Sequence, residues 1–97
     1  MATAMVMRFP GITPDTYDEA CERIGWERDP ADGGLFHAAY FDDGVLRVFD
    51  VWESPEHFQR FTEERLAPGL AAMGVTAQPE VELHAVHRLF QPAPLAA

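Results

Sequence analysis

The chain contains no lysine and no asparagine, and among its 97 residues it has one serine, Ser54, and one cysteine, Cys21. Without lysine, no Schiff base can form with a carbonyl substrate, and covalent catalysis has only Ser54, Cys21 and the threonines to draw on. A single cysteine cannot form an internal disulfide, and no Cys/His spacing typical of a zinc site is present. The composition therefore favours a protein of a reducing compartment that holds no metal.

Basic residues are scarce as well. Seven arginines stand against sixteen Asp and Glu residues, which gives a formal net charge of −9. A negative field of this kind repels phosphate backbones and anionic lipid surfaces. No apolar run approaches the length of a membrane span, and the first residues lack the charged leader and apolar stretch of a signal peptide. We therefore expect a cytoplasmic protein that binds neither nucleic acid nor membranes.

What the chain does contain is enough for one small core. The hydrophobic fraction is 47%, and 8 Pro and 7 Gly are too few for a disordered chain. A chain of this length has room for one domain. We expect that domain, with a single site, over residues 1–90, followed by a loose tail over residues 91–97.

Local patterns predict the order strand, helix, strand, strand, helix, strand. Four apolar runs are typical of strands: 4–9, 35–41, 45–52 and 81–90. Right-handed crossovers through the two helices then give an α+β fold, the ferredoxin-like βαββαβ arrangement with an antiparallel sheet.

Both helices are predicted from the same starting pattern. A capping side chain, a proline and an acid follow one another at Thr13-Pro14-Asp15 and again at Ser54-Pro55-Glu56. The first helix should fade near Gly25. The second should be kinked or ended near Leu66, because Pro68 has no amide hydrogen to continue it.

A hairpin joins the two central strands. The Asp43-Gly44 pair favours a tight primed turn, and with that turn His37 lies opposite Asp50. Side chains alternate along a strand, so one face of the hairpin carries these two residues together with Leu35, Ala39, Phe41, Leu46, Val48 and Trp52. The other face is also substantially apolar, with Phe36, Ala38, Phe49 and Val51.

Two helices can cover only one face of this sheet. We expect them on the face with Phe36 and Phe49, so that the face with His37 and Asp50 has no cover within the chain. An apolar face of that size is unusual on a monomer, and the same face of a second copy is the economical cover. The sequence therefore predicts a homodimer, with a cavity between the two sheets.

The run from Val48 to Ser54 (VFDVWES), followed by Phe58 and Phe61 and by the closing Val86-His87-Arg88, resembles the dimeric α+β barrel superfamily. Within that superfamily the chain is most similar to the antibiotic-biosynthesis-monooxygenase-like group, over nearly its whole length. The resemblance implies a dimeric α+β barrel with a ligand cavity and no cofactor.

The resemblance also implies a role for one aromatic residue. In the cofactor-free monooxygenases of the group, a strand tryptophan and nearby asparagines line the pocket where an electron-rich phenol or anthrone meets dioxygen. Trp52 matches the tryptophan. Val48 stands where the family has a polar amide, and the chain has no asparagine to supply one.

His37 and Asp50 are the candidate catalytic residues. A carboxylate opposite the imidazole would hold one ring nitrogen and leave the other to exchange a proton with a ligand. The alternative interpretation is a structural hydrogen-bonded pair in a partly wet interface.

Other residues are candidates for binding a substrate. Trp52 would supply a flat wall or, alternatively, pack in a dimer core. On the last strand, Arg88 would hold an anionic oxygen. His84 shares the face of Arg88 and would also bind the substrate; the alternative is that His84 is a solvated edge residue. Apolar lining is expected from Leu35, Phe41 and Val48.

These residues suggest a cofactor-independent enzyme of the cyclase, isomerase or monooxygenase type. It would act by acid/base chemistry on a small hydrophobic ligand, aromatic or polyketide-like. The alternative is a ligand-binding or structural dimer without turnover.

Overall fold

A computed structural model describes residues 1–92 and contains four strands in one sheet. The elements, in chain order, are β1 (Thr3–Phe9), α1 (Pro14–Ile24), β2 (Gly34–Asp42), β3 (Val45–Trp52), α2 (Pro55–Phe61), α3 (Ala67–Ala72) and β4 (Glu80–Ala85). The strand order is β2-β3-β1-β4, and all neighbouring strands are antiparallel. The predicted α+β ferredoxin-like arrangement is confirmed. Most of the predicted tail lies outside the described residues.

The helices begin where their capping residues predict. The hydroxyl of Thr13 accepts a hydrogen bond from the backbone N–H of Thr16 at 3.1 Å, and that of Ser54 accepts one from His57 at 3.3 Å. In each helix a proline follows the cap, where its missing N–H costs nothing. None of the helices within residues 1–92 is long and apolar enough to cross a membrane.

The second helical segment does not end at Leu66. Between α2 and α3 the chain stays helical through a π-helical turn, Thr62–Leu66, in which the N–H of Ala67 bonds to the carbonyl of Thr62 five residues earlier. This wider turn lets Pro68 occupy the start of α3, where a proline is tolerated. Of the two predicted alternatives, an end of the helix near Leu66 is therefore wrong, and the irregularity takes the form of a π-helical turn just before the proline.

The hairpin turn is of the predicted kind. Asp43 and Gly44 both have positive φ, 53° and 76°, as a primed turn requires. His37 lies opposite Asp50, as the turn predicts. Leu35, however, does not face Trp52: a bulge at Leu35 places Gly34 there instead. The alternation of side chains along the sequence does not reveal the extra residue of a β-bulge, so this shift could not be predicted.

The helices cover the opposite face from the one expected. The core lies on the Asp50 face of the sheet: Met5, Met7 and Phe9 of β1 and Leu46, Val48 and Trp52 of β3 pack with Ile12 and Phe58. The prediction failed because both faces of the hairpin are apolar, so alternation alone cannot say which one the helices cover. The candidate site therefore lies inside one chain, between sheet and helices.

The uncovered side, which we name the open face, carries the other set of side chains. Four large apolar residues there are 40% to 59% exposed: Val6, Phe36, Tyr40 and Phe49. The rings of Phe36 and Phe49 pack edge to face, with centroids 6.3 Å apart. Within residues 1–92 these four side chains form an exposed apolar patch on the open face, while Val51 on the same face is buried.

The last strand is shorter than predicted and ends at Ala85. Beyond it, the N–H of Val86 bonds to the carbonyl of Ala2 beside β1, and the side-chain amide of Gln91 bonds to the carbonyl of Leu35 on β2. The chain from Val86 to Gln91 therefore leaves the edge of the sheet and reaches across one end of it.

Candidate functional site

A cavity of about 280 Å³ lies between the sheet and the helices. Its floor is the core face of β1 and β3, and its walls come from α1, from the loop between α1 and β2, and from the second helical segment. Among the lining side chains are Met5, Tyr17, Trp26, Ala31, Leu35, His37, Val48, Asp50, Trp52, Phe58, Phe61 and Leu70. The lining is mostly apolar, as in sites that take small organic ligands.

Asp50 is the buried anchor of this cavity. Only 6% of the residue is exposed, and both carboxylate oxygens accept hydrogen bonds. Nδ1 of His37 lies 2.6 Å from Oδ1, and Nε1 of Trp52 donates to Oδ2 at 3.1 Å. A buried carboxylate needs such partners, because an unpaired buried charge is costly. Asp50 therefore fixes the orientation of both His37 and Trp52.

These contacts determine how His37 carries its proton. A carboxylate can only accept, so Nδ1 of His37 carries the hydrogen that bonds to Asp50. In the neutral ring Nε2 is then the free acceptor, and the hydroxyl of Tyr17 lies 2.7 Å from it. Tyr17, His37, Asp50 and Trp52 thus form one continuous hydrogen-bonded chain from helix α1 to strand β3.

Tyr17 is held in its phenol form. Burial is the main cause that raises its pKa from 10.0 to about 12, and negative charge on Cys21, Glu27, Asp50 and Asp18 contributes to this rise. At neutral pH the hydroxyl of Tyr17 therefore donates to Nε2 of His37, and its oxygen keeps lone pairs for another partner.

Trp26 packs against both members of this hydrogen bond. Its ring centroid lies 5.7 Å from that of Tyr17 and 5.8 Å from that of His37, tilted against the first and edge-on to the second. The rings of Tyr17 and His37 are nearly parallel, at 5°. Through the aromatic contacts of Trp26, the loop after α1 therefore holds Tyr17 and His37 in place.

Few of the side chains that line the cavity are titratable. Of the lining residues within 1–92, Tyr17, His37 and Asp50 are the titratable ones, and no arginine is among them. With a net charge of −9 on the chain and a carboxylate at the wall, an uncharged ligand is favoured over an anionic one. No cluster of three or more His, Cys, Asp or Glu side chains within the same residues is arranged to hold a metal ion.

The predicted binding residues divide into two groups. Leu35, Val48 and Trp52 line the cavity, and Phe41 packs against the core beside it without lining it. His84 and Arg88 are not part of it, contrary to the prediction.

The position of β4 explains this error. His84 lies opposite Ala4 on the open face, where its Nε2 is 3.2 Å from Glu82, and Arg88 is exposed beyond the end of β4. The prediction assigned the more polar face of the last strand, which carries His84, to the cavity, but that face lies on the opposite side of the sheet from Asp50.

A second polar cluster surrounds His57, where no site is predicted from the sequence. Nδ1 of His57 lies 2.6 Å from the hydroxyl of Ser54, and its Nε2 lies 3.6 Å from Glu53 and 4.0 Å from Asp32. Because Ser54 also caps α2, this cluster joins the helix start to the loop before β2.

Tyr17 is the member of the site that sequence reasoning missed. It lies on the apolar stripe of α1, where an aromatic residue is expected to pack in the core. The available signal was its hydroxyl, because a buried tyrosine usually finds a polar partner.

No protein-family model matches the chain, and no curated protein matches it in sequence. Solved structures match it closely in shape. NE2512 from Nitrosomonas europaea, a protein of unknown function, has a TM-score of 0.71 at 20% identity, with 96% of each chain covered. SnoaB from Streptomyces nogalater, a cofactor-independent oxygenase solved as a mutant, has a TM-score of 0.67 at 17% identity, covering 94% of this chain and 98% of its own.

A third match was solved with a ligand. The ActVA-Orf6 monooxygenase of Streptomyces coelicolor, in complex with nanaomycin D, has a TM-score of 0.63 at 18% identity, covering 95% of this chain and 93% of its own. The chain has the fold of the antibiotic biosynthesis monooxygenase-like proteins. On this monooxygenase-like fold, the chemistry must be argued from the residues that line its cavity.

Proposed function

We propose that this protein is a small cofactor-independent enzyme that moves a proton on an uncharged aromatic or polyketide-like ligand. His37 is the general acid/base, and Asp50 holds it in one tautomer. The observation that carries the proposal is the 2.6 Å contact between Nδ1 of His37 and Asp50 at the wall of an otherwise apolar cavity. A buried carboxylate in this position stabilises the imidazolium that a general base becomes when it takes a proton.

The reaction would be of the cyclase, isomerase or monooxygenase type, since each begins by removing a proton from an acidic C–H or O–H group. Two similar structures support this class of chemistry: SnoaB is a cofactor-independent oxygenase, and ActVA-Orf6 is a monooxygenase solved with nanaomycin D. Trp52 forms part of the floor, with its N–H committed to Asp50. It would therefore offer the ligand an apolar ring surface.

The alternative is a ligand-binding protein without turnover. One observation favours it: both ring nitrogens of His37 already have partners, Asp50 on one side and Tyr17 on the other. An imidazole engaged on both sides is typical of a structural hydrogen-bond network. The two functions differ in whether a bound ligand exchanges protons with the site.

We also propose that two copies associate through the open face. Its exposed Val6, Phe36, Tyr40 and Phe49 form a patch that a second copy would cover through two-fold symmetry. The cavity lies on the other side of the sheet and is complete within one chain, so the dimer would support the fold rather than build the site. We expect the protein to act in the cytoplasm, where its single cysteine stays reduced.

Calorimetric titration with 2-naphthol and with 2-naphthoic acid tests the ligand class. We expect 2-naphthol to bind and the anionic acid to bind at least about tenfold more weakly, because no arginine among residues 1–92 lines the cavity. Val48→Phe, which fills the cavity, should abolish binding. Val45→Phe, on the same strand but facing away from the cavity, should not.

Equal binding of the acid would overturn the inferred preference for uncharged ligands. If Val48→Phe bound as well as the unaltered protein, the cavity would not be the site. Absence of 2-naphthol binding would overturn the proposal that the cavity takes an uncharged bicyclic aromatic.

A further inference from the structure

A ligand in the cavity cannot reach a free nitrogen of His37. Nδ1 lies 2.6 Å from Asp50, and Nε2 lies 2.7 Å from the hydroxyl of Tyr17. The Tyr17 oxygen, in contrast, uses one hydrogen in this bond and keeps lone pairs that can accept another. Since Tyr17 also lines the cavity, a ligand there can bond to its hydroxyl oxygen while the hydrogen bond from Tyr17 to His37 stays in place.

From this arrangement we infer that Tyr17 is the catalytic residue that exchanges the proton with the ligand, and that it relays this proton to Nε2 of His37. The inference rests on the proposed function, because it names the group through which the His37–Asp50 pair would act. It also removes the objection that both nitrogens of His37 are occupied.

The relay balances without any further reactant. A C–H or O–H bond of the ligand breaks, and its proton forms a new O–H bond on Tyr17. At the same time the original O–H bond of Tyr17 breaks, and that proton forms an N–H bond at Nε2 of His37. The ligand becomes an anion and His37 becomes an imidazolium paired with Asp50. The reverse transfer returns the proton to another atom of the ligand, which completes an isomerisation or cyclisation.

Two features of the site suit this relay. Tyr17 begins and ends the step as a neutral phenol, which agrees with burial raising its pKa and so disfavouring a standing phenolate. Trp26 packs on both rings, at 5.7 Å from Tyr17 and 5.8 Å from His37, and so holds the two polar atoms at bonding distance. Positioned groups of this kind are what efficient proton transfer requires.

Deuterium exchange at the α-carbon of 2-tetralone, an uncharged bicyclic ketone, tests the relay directly. The exchange rate is followed by proton NMR, and binding of the same compound is followed by calorimetry. In Tyr17→Phe the ring and its packing remain, so we expect the dissociation constant to change less than about threefold and the exchange rate to fall about 100-fold or more. Tyr40→Phe removes the other tyrosine hydroxyl of the chain, on the open face, and should keep the full rate.

The outcomes separate the two proposals. If the unaltered protein accelerates exchange and Tyr17→Phe does so equally well, His37 acts directly and the relay is overturned while the proposed function survives. If the unaltered protein binds 2-tetralone without accelerating exchange, or does not bind it, the proton-transfer function fails and the relay fails with it.

A second variant covers the case in which Tyr17→Phe does not fold. In Tyr40→Phe, Tyr17 is the sole tyrosine, so biosynthetic incorporation of 3-fluorotyrosine alters that position alone. The fluorine makes the phenol more acidic and changes its volume little. A relay through Tyr17 predicts a change in exchange rate of about threefold or more. An unchanged rate would show that the phenol takes no part.

Discussion

The hydroxyl of Tyr17 lies 2.7 Å from Nε2 of His37 and connects helix α1 to strand β2 across 20 residues of sequence. Through His37 the contact continues to Asp50 and on to Trp52, both on strand β3. One chain of hydrogen bonds therefore links the helical layer to the sheet at the wall of the cavity.

The first prediction concerns the ionisation of Tyr17. In Tyr40→Phe it is the only tyrosine, so the ultraviolet absorbance of tyrosinate reports on this residue alone. We expect a midpoint near pH 12, because burial and nearby acidic groups raise the pKa from 10.0 to about 12. A midpoint near the unperturbed value would contradict the buried, hydrogen-bonded position of the hydroxyl.

The same shift has a consequence for stability. Between about pH 10 and 12 the unfolded chain loses the Tyr17 proton and the folded chain keeps it, so the free energy of unfolding should fall as the pH rises through this range. Urea denaturation of the unaltered protein and of Tyr17→Phe measures this effect. The variant lacks the titrating group, and its stability should fall less steeply over the same interval.

The second prediction separates the two functions of Asp50. Asp50→Ala leaves the buried N–H of Trp52 without an acceptor, and we expect a loss of about 1–3 kcal/mol in the free energy of unfolding. Asp50→Asn should cost less, because its oxygen can accept from Trp52 while its NH₂ donates to Nδ1 of His37. In that case His37 must carry its proton on Nε2 and donate to Tyr17.

The change of tautomer is measurable by ¹⁵N NMR of His37, and the deuterium exchange of 2-tetralone should fall in Asp50→Asn even though the protein folds. A His37 that kept its proton on Nδ1 in this variant would show that Asp50 does not set the tautomer. Glu53→Gln, an exposed carboxylate one residue beyond β3, serves as the matched control and should change neither readout.

Much of the fold could be predicted because its signals are local. The Asp43-Gly44 turn requires two positive φ angles, and this pair supplies them, so the opposition of His37 and Asp50 followed directly. The helix starts could be predicted for the same reason, since a cap and the proline after it are adjacent in sequence.

The orientation of the layers could not be predicted in this way. Leu46 and Val48 on one face and Phe49 and Val51 on the other are similarly apolar, and only the packing of the helices distinguishes them. The bond between Tyr17 and His37 is non-local in the same sense. It depends on which face of the sheet α1 covers. Because the helices were expected on the other face, Tyr17 could not be predicted as a partner of His37.

The third prediction concerns the open face. Phe49→Glu places a charge in the centre of the apolar patch, where Phe49 is 40% exposed and packs edge to face with Phe36. We expect the unaltered protein to sediment as a dimer at micromolar concentration and the variant to sediment as a monomer, because burying an unpaired charge is costly. Gln59→Glu adds the same charge on the exposed side of α2 and should remain dimeric. A monomeric unaltered protein would refute the proposed association.

The fourth prediction tests how the loop that carries Trp26 is held in place. Gly33 has φ of +82°, and a Cβ at this position would overlap the ring of His57. Gly44 has a similar φ of +76°, but its Cβ would meet nothing within 4 Å. Gly44→Ala should therefore lose only about 1–2 kcal/mol, the cost of the left-handed backbone. Gly33→Ala should lose about 1–3 kcal/mol more from overpacking.

Urea denaturation of Gly33→Ala, His57→Ala and the double variant isolates the steric contribution at Gly33. We expect His57→Ala to recover most of the additional loss in the double variant, because it removes the ring that the new methyl group meets. The overlap with His57 should also displace the loop that ends at Gly33. Because this loop brings Trp26 and Ala31 to the cavity wall, we expect Gly33→Ala to bind 2-naphthol more weakly. Equal losses in Gly33→Ala and Gly44→Ala would mean that His57 does not hold this loop against α2.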